Sequence, residues 1–205
     1  EMLTSKTVVV EKSKTLADTL NHMANQIDSL RDETIGQIDK NVLDFNTTID
    51  KLDKLNKQIF NISVKGHIPN DLLDQRDVLL RDLSSLTDFK VDFDKYGRAS
   101  INIDGNEVLG VGEGIKYKMV AQDDNISLEG QKEDNKGNTI DITNSITSGK
   151  IKGNIEALAD IEESKKSLDN FTKTMAEAIN TIHRDGREEN EPWIDFFKFD
   201  GEAGA

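Results

Sequence analysis

Cysteine is absent from the 205-residue sequence, so neither a disulfide framework nor a thiolate zinc site can form. That suits a cytosolic protein and equally an exported one that avoids thiol chemistry. Basic residues are too few to balance the acidic ones, 26 against 39, and the net charge is −13. Like-charge repulsion then opposes nucleic acid and anionic lipid, and neither is expected as a partner. No apolar run approaches the roughly 18 residues of a membrane span, and no secretory leader is read ahead of the fold. Helix breakers are missing too. From about Ser13 to Ile62 there is no proline, and the one glycine is Gly36. The chain opens on Glu1 and stops at FDGEAGA soon after an apolar cluster, and is expected to be a piece of a longer polypeptide.

What fills the breaker-free stretch is a stripe. Leu16, Leu20, Met23, Ile27 and Leu30 recur alternately four and three apart, the spacing of one helical face. Thr34, Ile38 and Val42 continue it at steps of four, then Phe45, Ile49 and Leu52, with Asn56 and Ile59 after them. An eleven-residue step therefore interrupts the heptads, and a left-handed supercoil should relax there. About fifty helical residues extend roughly 75 Å, which predicts a rod. The segment NISVKGHIPND breaks this helix, and PNDLLDQRDVLLRDLS begins a second, with Asn70 as the expected N-cap. Asp71 and Asp74 stand near the positive end of its dipole, and Asp77 with Arg81 forms an expected exposed i,i+4 pair.

From residue 88 to about 147 the period changes to two. Phe89, Val91 and Phe93 alternate with charged residues, Ile101 and Ile103 with Asn102 and Asp104, and Ile115, Tyr117 and Met119 with lysines, which predicts half-buried strands. DKYGR, DGNE and EDNKGN supply turns, so a small antiparallel meander with one solvated face is expected. After SGKIKG a second long helix is predicted from about Asn154 to Arg184, antiparallel to the first. The tail then gathers Trp193, Phe196, Phe197 and Phe199. The expected fold class is α+β. Residues 1–87 and 150–189 form an elongated antiparallel long-helix bundle, residues 88–149 a small inserted antiparallel β domain, and residues 190–205 the start of a further segment.

Motifs that could carry chemistry fail on their surroundings. HRDGREEN, residues 183–190, has the spacing of a protein-kinase catalytic loop, but no strand lysine or D-F-G accompanies it, and GVGEG has no third glycine at the phosphate-loop spacing. A helix end explains it better: His183 and Arg184 face the last carbonyls, and Gly186 is the left-handed residue that stops the helix. DFDKYGRASINI opens like a calcium loop with Asp92, Asp94 and Gly97, yet Ile103 stands where the bidentate glutamate belongs. His22, His67 and His183 are scattered, with no second histidine at i+4, so a His-based site has no support. No enzyme, cofactor or metal is expected.

One residue breaks the pattern of the second helix. Leu72, Leu73, Leu79, Leu80, Leu83 and Leu86 share an arc, and Arg76 falls at its centre. Such a charge must be paired and hydrogen-bonded, or must snorkel to an edge. Asp53 on the first helix and Glu162 on the last are its expected partners, because Asp74 and Asp77 fall on the other face of its own helix. A guanidinium that bridges two elements fixes their register. Asn56, on the core stripe, is a second expected register device. Gly153, in the GKIKG stretch before the last helix, and Gly186 complete the candidate structural positions.

PNDLLDQRDVLLRDLS followed by an alternating hairpin resembles the most recognisable segment of the flagellar hook-associated protein 1 family, which joins hook to filament. LADTLNHM, NKQI, GKIKGNIEAL and INTIHRDG fall in that family's order. The resemblance implies a structural role in the extracellular bacterial flagellum, by assembly with hook, neighbouring junction proteins and copies of itself in a ring. It also implies that the fragment alone is a monomer, that residues 69–84 secure the base of the rod, and that the terminal helices of the family lie outside this chain. The residues by themselves leave open a helical partner-binding rod of another surface or phage-tail assembly.

Overall fold

The computed structural model describes residues 2–112, 114–185 and 196–197, and among these the backbone forms three helices and seven strands. Helix α1 is Met2–Ser63, α2 Asn70–Leu86 and α3 Gly149–Asp185; the strands lie between α2 and α3. α1 starts well before Ser13 because nothing in residues 2–12 breaks a helix. No helix of the described residues is long and apolar enough to cross a membrane. The chain divides into two compact units, Glu1–Asp32 with Ala159–Ala205, and Glu33–Leu158. This division cuts through α1 and α3 and does not follow the borders expected at residues 88 and 149.

In the first unit α1 and α3 run antiparallel. Lys165 bonds Asp28 at 2.7 Å and Arg31 bonds Glu162, two pairs whose residue numbers change in opposite directions. Leu20, Ile161 and Ala176 are buried and Ile27 is half-buried, but Leu16, Met23 and Leu30 of the expected stripe are exposed. Among the described residues the unit has two helices, and one helix contact buries a single seam.

In the second unit the stripe is buried as expected, from Ile38, Val42 and Phe45 through Ile49 and Leu52 to Ile59. Leu83 and Leu86 of α2, and Ile151 and Leu158 of α3, join the same core. The β region is not one meander but two sheets. The first holds β1 (Lys90–Phe93), β2 (Ala99–Ile103), β3 (Asn106–Gly110) and β4 (Gly114–Ile115), and the second β5 (Tyr117–Gln122), β6 (Asn125–Gly130) and β7 (Thr139–Asp141). Every pairing is antiparallel between sequence neighbours. Lys116 is where the chain leaves one sheet for the other: its N–H bonds Val108 O and its carbonyl accepts Gln131 N–H. Ile115, Tyr117 and Met119 therefore alternate as one strand in the sequence while belonging to two. Buried Ile101, Ile103, Val108, Met119, Ile126 and Leu128 turn both sheets toward α1 and the helical core.

Candidate functional site

The polar groups that position these elements gather where α1 and α2 meet the β1–β2 hairpin. The hairpin turn is built by Asp94. One carboxylate oxygen accepts the N–H groups of Tyr96 and Arg98, at 3.0 and 2.8 Å, and the other takes Nε and Nη2 of Arg98, at 2.9 and 2.8 Å. Partial burial works against the Asp94 charge, but these hydrogen bonds outweigh it and hold the carboxyl below the usual range. The Arg98 guanidinium lies 4.5 Å over the Phe60 ring of α1, and Phe60 meets Tyr96 edge-on at 5.2 Å. Gly97 has φ +84°, and a Cβ there would come within 2.9 Å of Leu73 Cδ2 on α2. Only glycine fits both demands.

Arg76 reaches this turn from α2. Its side chain is 12% exposed; Nη1 donates to Gly97 O, Nε and Nη2 donate to Asp77 Oδ1 at 2.9 and 2.7 Å, and the guanidinium lies 4.4 Å over Phe93. The expected partners are thus corrected. Asp53 bonds Lys57 and Glu162 bonds Arg31. Asp77, set aside for being on the wrong face, accepts from Arg76, because the long arginine arm turns toward the hairpin and brings Nε and Nη2 back to the neighbouring carboxylate. The expected Asp77–Arg81 pair gives way to this one. Arg76 does bridge two elements, but the second is a hairpin carbonyl and not a helix carboxylate.

Asn56 sits 4% exposed on the core side of α1, and its partner is also backbone. Its amide donates to Ala99 O at 2.8 Å and accepts from Ala99 N–H at 2.9 Å. The pairing of β2 with β3 ends at Ile101↔Leu109, so Ala99 lies on an open edge there, and the amide pairs with it as one residue of a neighbouring strand would. Asn46, ten residues earlier on α1, does the same for Met119 in the edge strand β5, at 2.8 and 3.0 Å. In the first unit Asn180 clamps Phe197 in the same two-way manner, at 2.9 and 2.8 Å.

The neck of the β region is closed by Asp88. Its carboxylate accepts Thr147 N–H and Oγ1, both at 2.9 Å, and Ser148 N–H at 3.2 Å, just ahead of α3. Partial burial opposes its charge, and the hydrogen bonds from Thr147 and Ser148 prevail, so its carboxyl also lies below the usual range. Gly149 follows with φ +90°, where a Cβ would stand 2.5 Å from Leu86 O.

The remaining sequence candidates fall as follows. Asn70 begins α2 but makes no side-chain cap; Pro69 holds the cap position. Asp74 is exposed on α2. Gly153 is exposed, and a Cβ there would meet nothing within 4 Å, so it serves no close approach; Gly149 has that role. His183 and Arg184 occupy the last turn of α3, where Arg184 Nε donates to Asn180 O at 3.2 Å. Gly186, Trp193 and Phe199 lie outside the described residues. Arg98 occupies the carboxylate of Asp94, which here builds the hairpin turn. Asn46, Asp88 and Gly149 were missed; a DGNE-like turn signature marks none of them, and Asp88 beside the start of the first strand was the one available hint. These groups fix backbone against backbone, and their chemistry is that of positioning.

Residues 1–197 match the family model described as the flagellar hook-associated protein FlgK helical domain. The chain is 28% identical to flagellar hook-associated protein 1 of Bacillus subtilis (strain 168) over 96% of its own length and 44% of that relative, so it spans less than half of it. The solved structure of the flagellar hook junction protein FlgK from Burkholderia pseudomallei has the same α+β fold, long helices with small antiparallel sheets. Its TM-score is 0.71 at 24% identity, covering 83% of this chain and 32% of that one. With the family match running through every helix and strand described above, the chain belongs to the family of the flagellar hook-associated protein FlgK helical domain.

Proposed function

We propose that this chain is a structural segment of the external bacterial flagellum at the junction of hook and filament. It acts by assembly with hook, neighbouring junction proteins and copies of itself in a ring, and not by catalysis. The observation that carries this is the family match over residues 1–197, in a family of structural flagellar proteins. The site chemistry supports it. Asp94, Arg98, Arg76 and the asparagine amides spend their hydrogen bonds inside the chain, on its backbone and on neighbouring carboxylates. A segment that passes torque between two tubes needs elements that do not slip, and two-way amide clamps resist slipping because a one-residue shift breaks both bonds. Antibodies raised against the chain are expected to label the boundary between hook and filament in electron micrographs. Label confined to the cell body, with bare flagella, refutes the reading.

A further inference from the structure

The second unit carries a trench and a ridge of matching character. The trench, of about 490 Å³, lies between α1 and α2. Leu55, Val78 and Leu79 supply its apolar lining, Lys51 and Lys54 its α1 wall and Asp74 part of its α2 wall. Val78 is 46% exposed. The ridge is the face of α1 that bears Asp39, Leu43, Thr47 and Asp50, all exposed, at helical spacing with Asp44 beside them. Leu43 stands out at 64% exposure, an apolar knob between carboxylates. Among the described residues Lys51, Lys54, Asp39, Asp44 and Asp50 form no ion pair.

We propose that the trench of one copy receives the Leu43 ridge of a second copy of this chain. This rests on the assembly reading above and gives it a surface. Charge selects the occupant. A chain of net charge −13 repels its own copies, so association needs a place where cations face outward beside apolar surface, and Lys51 with Lys54 provides one. The ridge offers the complement, a leucine to enter between Val78 and Leu79 and carboxylates to meet the lysines, in the manner of a helix laid into a groove. Ridge and trench are different patches, so a copy can give its ridge to one neighbour and fill its trench from another, a heterologous contact. Each copy has a ridge to give and a trench to fill, and such contacts propagate into rings or fibres.

The test uses the absence of cysteine from the chain. Leu43→Cys and Val78→Cys are made in separate preparations of the full chain, and both side chains are exposed, so the fold is undisturbed; circular dichroism verifies that. Mixed and oxidised, the two are expected to give about tenfold more covalent dimer than either alone or than Val78→Cys mixed with Asn125→Cys, because a disulfide forms only between closely apposed backbones. Lys51→Glu with Lys54→Glu in the Val78→Cys copy should abolish the excess, and Asp39→Lys with Asp50→Lys in the other copy should restore it. A mixture that gives no excess overturns the proposal, as does shielding of Val78→Cys from alkylation by purified hook protein with no copy captured. The outcome is separable from the functional reading. No excess alongside label at the hook–filament boundary removes this surface and keeps the function, and cross-linking by a chain absent from flagella does the reverse.

Discussion

Replacing Asn56 with alanine tests the claim that a helix amide stands in for a missing strand. The amide forms two hydrogen bonds with Ala99, and both residues are buried, Asn56 at 4% and Ala99 at 0% exposure. Net loss of two hydrogen bonds is about 1 kcal/mol each, and stranding the Ala99 N–H and C=O away from water adds about 1–3 kcal/mol more, so the substitution should cost about 3–5 kcal/mol. Urea unfolding followed by circular dichroism is the assay, and with a slope of about 2 kcal/mol/M the midpoint should fall by about 1.5–2.5 M. Asn56→Asp separates the two halves of the clamp. A carboxylate still accepts the Ala99 N–H but opposes the Ala99 carbonyl, and burial raises the folded pKa of such a group. Its penalty is therefore present above the unfolded pKa and is relieved as pH falls, when the protonated acid regains a donor. An alanine variant within about 0.5 kcal/mol of the wild type, or an aspartate variant indifferent to pH, would refute the reasoning.

Other predictions rest on the same local geometry. Gly149→Ala puts a Cβ 2.5 Å from Leu86 O at φ +90° and should destabilise by about 2 kcal/mol or more. Gly36→Ala and Gly153→Ala, where a Cβ meets nothing within 4 Å, should each raise the melting temperature through a gain of about 0.5–1 kcal/mol. Asp88 and Asp94 have depressed folded pKa values, so their contribution is present above the unfolded carboxylate value of about 3.9 and is lost as pH falls through the folded ones. Acid denaturation of an Asp88→Asn, Asp94→Asn protein should be less steep than that of the wild type, from a lower starting stability at neutral pH. Arg76→Leu loses the bond to Gly97 O and the stacking on Phe93 and should cost about 1–3 kcal/mol in urea titrations. Arg76→Lys should recover less than half, since an ammonium cannot serve the carbonyl, the carboxylate and the ring together.

Periodicity made the helices legible because a long apolar stripe has few other ways to be buried. Ile38 through Ile59 are buried as their spacing requires. The same stripe misled at Leu16, Met23 and Leu30, since a pattern records which residues could be covered and not how many neighbours cover them. The sheets were legible as strands but not as two sheets. The break at Lys116 is a matter of hydrogen-bond direction, Val108 on one side and Gln131 on the other, and alternation continues undisturbed across it. Arg76 was recognisable as a bridging residue, while its partner was sought among carboxylates because only side chains have identities that a sequence reveals.

Backbone partners explain the other misses, and they lead to one further contrast. Any residue but proline at positions 99 or 119 presents the N–H and C=O that Asn56 and Asn46 bind, so no complementary letter exists to be found. An asparagine on a buried stripe is then ambiguous until the strand edge beside it is known. Asn41 shows the other outcome. It is 7% exposed between Ile38 and Phe45 on the same helix, yet among the described residues its side chain makes no hydrogen bond. A buried amide with nothing to clamp is a cost, and Asn41→Leu should stabilise the protein by about 1–2 kcal/mol through added apolar burial and the removed desolvation penalty. The same substitution at Asn56 should destabilise it by at least about 2 kcal/mol. Opposite signs from one substitution at two buried asparagines of one helix follow only if backbone edges decide the matter. Equal losses at both sites would mean that Asn41 holds a bridging water, and that burial of the amide itself, and not the strand it faces, is what the helix requires.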